Sequence, residues 1–117
     1  DCLDPHRPNY LAALDRDGDG YALALAELST GETVLLRPAD AERLRDELAR
    51  FTPAEILVPE GDEDLERLGR ESRAVVSRVD PARFREPGAR AADPPPFRAL
   101  LWYLGQTHRA SLEHLRP

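Results

Sequence analysis

An α/β fold, with a five-stranded mixed sheet and helices on both faces, is what this sequence predicts, and three observations predict it. Residues 9–36 alternate apolar side chains through two tight turns, the pattern of three consecutive antiparallel strands. The later chain alternates helically spaced apolar residues with short continuous apolar runs, the pattern of strands that return in parallel through helices. The second strand is apolar on both sides, which suits a sheet covered on both faces.

The first strand is predicted over Tyr10–Leu14. It turns into the second through Asp17-Gly18-Asp19-Gly20, and Asp-Gly between apolar runs is a strong hairpin signal. In the second strand Tyr21, Leu23 and Leu25 share one face, while Ala22, Ala24, Ala26 and Leu28 share the other, because side chains alternate with a period of two. The alanine face is flat enough for a helix to come close. A second turn, Ser29-Thr30-Gly31-Glu32, uses Gly31 for the left-handed conformation that a short loop needs. The third strand, Thr33–Leu36, runs into Arg37-Pro38, and proline places it near the sheet edge.

Asp40 follows as an N-cap, with Glu42 in the first turn of a helix. Ala41, Leu44, Leu48 and Phe51 recur at spacings of three and four and make one apolar stripe. Pro53 disfavours helical geometry in the residue before it, so this helix stops at Thr52. Glu55–Pro59 is a short apolar run suited to a strand buried on both faces. Asp62 opens a second helix carrying Leu65 and Leu68, with Gly69 expected at its C-terminal end. Ala74–Val79 is the fifth strand; 80–96 is rich in proline, its part EPGARAADPPP (86–96) reads as linker, and Phe84 is placed to pin part of the stretch down. A last helix begins near Pro96, carries Phe97, Leu100, Leu101, Leu104 and His108 at helical spacing, and ends in Gly105-Gln106-Thr107-His108-Arg109. Leu112 and Leu115 continue it or form a turn beyond. The order β-β-β-α-β-α-β-α predicts sheet order 3-2-1-4-5 with the first strand central, and it matches the ribonuclease H-like fold.

Composition narrows the function. The 117 residues suit one domain, with 1–8 as an entry linker, and 41% hydrophobic content marks a globular chain. The net charge is −6 and no basic stripe interrupts it, whereas proteins that grip nucleic acid neutralise phosphates with clustered Lys and Arg. No apolar run approaches the roughly 20 residues of a membrane span, and no leader is visible. The single Cys2 cannot form an internal disulfide, so a reducing compartment, the cytoplasm, is the default. The absence of methionine marks the chain as a segment of a longer protein.

Three kinds of chemistry come into question for these residues. Asp15, Asp17 and Asp19 match the opening of an EF-hand loop, and a calcium-binding tip is the alternative to a plain turn. The twelfth loop position is Ala26 rather than a carboxylate, and the flanks are strands rather than helices. Two-metal nuclease chemistry requires an acid inside the first strand, where Leu11, Ala12 and Ala13 stand instead. Asp15 is read at the strand end facing the turn, and Asp80 and Glu113 have no evident partner geometry. Nucleophilic catalysis is unsupported: Cys2 and His6 lie in the entry linker, and His108 and His114 are scattered along the last helix. Surface recognition remains, through Trp102, Tyr103 and the helix end beyond them.

Several segments carry a resemblance. Asn9-Tyr10-Leu11-Ala12-Ala13-Leu14, Gly20-Tyr21-Ala22-Leu23-Ala24 and Leu28-Ser29-Thr30-Gly31-Glu32 are similar to the opening of the connector domain of bacterial MutS mismatch-repair proteins. Glu47-Leu48, Pro53-Ala54-Glu55-Ile56-Leu57 and Pro59-Glu60 resemble its first helix and fourth strand, and Leu101, Tyr103, Thr107 and Arg109 resemble its closing helix. The chain departs from the family over 80–96, which is shorter and richer in proline. The resemblance implies a ribonuclease H-like domain without nuclease activity or a cofactor of its own. It implies a link between the mismatch-reading domain and the core of a DNA-clamping ATPase, with ATP and magnesium bound in other domains. It implies as partners those domains, the mismatched DNA they hold, and MutL, with Gln106, Thr107 and Arg109 on the MutL-facing surface.

Overall fold

The computed structural model describes residues 9–85 and 94–115, with side chains in the last helix described through Gln106. Five strands form one sheet: β1 (Tyr10–Asp17), β2 (Gly20–Glu27), β3 (Thr33–Leu36), β4 (Glu55–Pro59) and β5 (Val75–Val79). Their order is β3-β2-β1-β4-β5, with β1 central and β3 and β5 at the edges. β1 pairs antiparallel with β2 and parallel with β4, and β4 pairs parallel with β5. The helices are α1 (Ala41–Phe51), α2 (Glu63–Glu71), the short α3 (Ala82–Arg85) and α4 (Pro95–Leu115).

Local chemistry fixes the turns. Gly18 has φ +59 at the first position of the two-residue β1–β2 loop, where a type II′ hairpin takes glycine. Gly31 has φ +79 and donates its N–H to the Glu27 carbonyl. Gly20 is needed for space: a Cβ there would stand 2.7 Å from the Pro38 carbonyl oxygen, where the chain leaving β3 crosses over β2. Asp40 caps α1 by accepting from the Arg43 N–H at 2.8 Å. Thr52 closes α1 in the left-handed region, its N–H on the Leu48 carbonyl, directly before Pro53.

Alternation then sorts the sheet into two cores. Ala12, Leu14, Leu23, Leu25, Ile56 and Val58 face Leu44 and Leu48 of α1 and Leu65 and Leu68 of α2. Tyr10 meets Phe51 edge-on at a centroid separation of 5.2 Å, fixing the last turn of α1 over the start of β1. On the other face, Leu11, Ala13, Ala24, Ala26, Leu57 and Val79 pack with Phe84 of α3 and Ala99 and Leu100 of α4. Helices therefore cover both faces, as the two-sided apolar pattern of β2 requires.

The structure departs from the sequence reading at three places. Gly69 lies inside α2 rather than at its end; the helix runs on to Glu71 and is capped by Ser72, whose hydroxyl donates to the Gly69 carbonyl at 2.6 Å. The glycine serves close packing, since a Cβ at 69 would come within 2.9 Å of Val76 Cγ2. A short helix that the sequence reading did not give, α3, stands directly before the linker-like 86–96, of which 86–93 lie outside the described residues; it is started by Asp80, which accepts from the Ala82 N–H, and by Pro81. Phe84 is fully buried there. Of the two courses left open beyond Arg109, the last helix takes the longer, continuing to Leu115, because Gly105 keeps ordinary helical geometry and no proline intervenes. Finally, β1 extends to Asp17, so Asp15 is a residue of the ladder, paired with Ala22, rather than part of the turn.

Candidate functional site

Three polar constellations interrupt this apolar frame. The first is an open crevice of about 600 Å³ at the carboxyl ends of β1 and β4, lined by Asp15, Arg16, Glu60, Asp62, Asp64 and Arg85 among others. Arg16 reaches from β1 to grip both oxygens of Asp62, with Nε–Oδ2 at 2.8 Å and Nη2–Oδ1 at 2.9 Å. Asp62 also caps α2 by accepting from the Leu65 N–H. The hydrogen bonds from Arg16 hold the Asp62 carboxyl below the usual carboxylate range. Partial burial pushes Asp15 the other way, upward, against the pull of the Arg16 N–H and the nearby Arg85 charge. The crevice thus fastens the end of β1 to the start of α2.

The second constellation clamps the chain where it enters the sheet. Glu27, almost fully buried, accepts from Ser29 Oγ at 2.6 Å, from the Thr30 N–H at 2.8 Å and from the Asn9 N–H at 3.0 Å. The Asn9 carbonyl accepts from the Leu28 N–H, so both backbone groups of Asn9 are held. The Ser29 hydroxyl first, then the Asn9 and Thr30 amides, lower the Glu27 carboxyl to about 2. A second buried acid, Glu66, is paired with Arg78 of β5. The two acids sit at the rim, each met by donors from another segment, and neither joins a metal-binding group. Among the described residues no three His, Cys, Asp or Glu side chains are placed to hold an ion.

The third constellation seats α4. Tyr103 Oη donates to Glu55 Oε2 at 2.8 Å, and Ser77 Oγ donates to the same oxygen. Hydrogen bonding to that carboxylate pushes the Tyr103 phenol up from its ordinary value. The Arg83 guanidinium lies over the Trp102 ring at 4.8 Å from its centroid, and Arg98 Nη1 donates to the Arg85 carbonyl at 2.8 Å. Strands β4 and β5 and helix α3 thereby fix one helix turn around Trp102 and Tyr103.

The residues singled out in the sequence are not all brought together. Gln106, Thr107 and Arg109 all belong to α4; Gln106 is exposed, and the side chains of Thr107 and Arg109 lie outside the described residues. So do those of His108, His114 and Glu113, along with the whole of Cys2 and His6. Asp17 is engaged by Arg37 at 2.6 Å, Asp15 accepts from the Arg16 N–H at 2.8 Å, and Asp19 occupies the hairpin loop. The calcium alternative gains no support from this arrangement. Leu11, Ala12 and Ala13 are buried at the centre of the sheet. The clamp at Glu27 and the anchor at Glu55 were missed from sequence, since each depends on partners 18 and 48 residues away. No helix among the described residues is long and apolar enough to cross a membrane.

Comparison with known proteins bears on this geometry directly. The family model for MutS domain II matches residues 9–93, from the Asn9 clamp through α3 to the threshold of α4. A Halobacterium salinarum protein described as DNA mismatch repair protein MutS 2 is 45% identical over 85 residues, covering 70% of this chain and 10% of that protein. DNA mismatch repair protein MutS of Trichormus variabilis is 44% identical over 66 residues, covering 56% of this chain and 8% of its own length. That of Methanothrix thermoacetophila is 35% identical over 120 residues, covering 93% of this chain and 13% of its own length. The chain therefore spans about a tenth of the relatives it matches. With the match running across all five strands, this chain belongs to the MutS domain II family.

Proposed function

We propose that this chain is the connector domain of a MutS-like DNA mismatch repair protein, a single non-catalytic domain over 1–117 with 1–8 as its entry linker. In this reading it has the ribonuclease H-like fold, couples the mismatch-reading domain to the core of the parent protein, works in the cytoplasm, and presents α4 to MutL through Gln106, Thr107 and Arg109. ATP, magnesium and mismatched DNA are handled by other domains. The observation that carries the reading is the domain II match over residues 9–93. The interior of β1 supports its non-catalytic part: Leu11, Ala12 and Ala13 fill the place where a two-metal nuclease of this topology sets a carboxylate.

The test uses the full-length protein. Arg109→Glu places a negative charge at the centre of the proposed surface, and MutL recruitment on mismatched DNA with ATP is expected to weaken about tenfold or more. Mismatch binding itself should be unchanged. Undiminished recruitment by this variant removes Arg109 from the interface. Loss of mismatch binding in the same variant would instead point to a direct DNA contact.

A further inference from the structure

Helices α1 and α2 cover the same face of the sheet, and both end at the edge where the chain enters it. Tyr10 packs on Phe51 in the last turn of α1, the Tyr10 carbonyl accepts from the Ala54 N–H, and the Ala54 carbonyl accepts from the Val75 N–H. Between the two helix ends opens a crevice of about 400 Å³. Its floor is Leu48 and Leu68, core residues of α1 and α2, and the small exposed side chain of Ala49 leaves the space above them open. The crevices beside Arg16 and Arg78 differ, for their linings are mostly charged. A space near the small end of the roughly 300–1,000 Å³ range of ligand pockets takes a side chain or two, not a folded surface.

Charge at the rim selects what accompanies that side chain. Arg45 Nε donates to Glu71 Oε2 at 3.0 Å, so Glu71 is already neutralised. Arg73 adds a second guanidinium, exposed, with no carboxylate paired to it among the described residues. Two arginines against one glutamate make the rim positive on a chain of net charge −6. The backbone marks the same place. The described non-glycine residues with positive φ, Thr52 at +42 and Arg73 at +68, both line this crevice. Residues held in that sparsely populated region gather at binding sites. At the end of α2 the turn asks only for a left-handed residue, which glycine supplies most easily, and the Arg73 N–H completes it on the Arg70 carbonyl at 3.0 Å. The guanidinium at the rim is what arginine adds there.

We propose that this crevice is a socket for another stretch of the parent chain, one that presents an aliphatic side chain next to a carboxylate. The side chain enters over Leu48 and Leu68, and the carboxylate meets Arg73. That the occupant belongs to the same chain rests on the connector reading. This domain spans about a tenth of its relatives, and the crevice opens at the edge where Asn9 joins the sheet. A tethered segment binds at high effective concentration, so one side chain and one ion pair suffice. The socket ties a neighbouring part of the parent to the face opposite α4.

The test is amide exchange, read by mass spectrometry, in the purified full-length protein. Arg73→Gly removes the guanidinium and relieves the left-handed backbone, so the melting temperature should hold or rise. In this variant one stretch outside residues 1–117, with Leu, Ile or Val beside Asp or Glu, should exchange about fivefold faster, as expected for loss of one exposed ion pair. Ala49→Phe fills the crevice and should release the same stretch. Arg73→Lys keeps the charge and should release it less. The socket stands only if all three results are found; no faster exchange outside 1–117, or release of a stretch without that pair of residues, overturns it. The purified protein meets no MutL, so a failed Arg109→Glu test and a failed socket are told apart.

Discussion

The two faces of the sheet do the same work with different residues. Towards α1 and α2 the strands present Leu14, Leu23, Leu25, Ile56 and Val58, which interdigitate with four leucines from the helices. Towards α4 they present Ala13, Ala24 and Ala26 among Leu11, Leu57 and Val79, and α4 answers with Ala99 and Leu100 while Phe84 fills the space beside them. Large side chains hold a helix at a distance and gain stability from area. Small ones let a helix settle close and gain it from fit. The first face should therefore suffer most from truncation and the second most from enlargement.

That contrast can be broken in order of expected effect. Leu25→Ala, on the leucine face, should cost about 2–5 kcal/mol of unfolding free energy, read by urea titration. A cost below about 1 kcal/mol would mean that this core collapses around the gap and is looser than its burial indicates. Ala24→Leu, the adjacent residue on the opposite face, should cost about 1–3 kcal/mol by forcing α4 outward. Its chemical-shift changes should concentrate on Ala99 and Leu100. A neutral Ala24→Leu would show that α4 has room to spare and would erase the distinction between the faces.

The smallest effect sharpens the comparison at the rim, where the Glu27 clamp belongs to neither face. Its carboxyl titrates near 2 when folded against an ordinary value of 4.5. A lowered folded value favours the ionised form, so this stabilisation is fully present above about pH 4.5 and is lost as pH falls towards 2. Glu27→Gln should flatten the dependence of melting temperature on pH within that window and leave the slope elsewhere unchanged. An identical acid profile in the variant would assign the loss to other carboxylates.

Much of this architecture was legible because its determinants are local. Gly18 and Gly31 announce turns through backbone geometry alone, and Asp40 and Thr52 bound α1 through groups within four residues. Alternation along β2 named both cores before any contact was known. What escaped depends on distant partners. Gly69 looks like a helix terminus until Val76 is seen across from it. Asp80-Pro81-Ala82 carried a start signal for α3, but the prolines around it masked a helix of one turn. Glu27 and Glu66 were legible only as charged residues: Ser29 and Thr30 lie close to Glu27 in the chain, but nothing local reveals that Asn9 will join them or that Arg78 will meet Glu66. Of the candidate site, the helix bearing Gln106 was recognisable by its spacing. The anchoring of the preceding turn was not, since Glu55 and Ser77 sit on separate strands.

The stacking of Arg83 on Trp102 has a practical side. The chain has a single tryptophan, and it stands on the seam between α3 and α4. Emission excited selectively from tryptophan in this domain therefore comes from one address, and its colour and quenching follow the seating of the long helix without any dye attached.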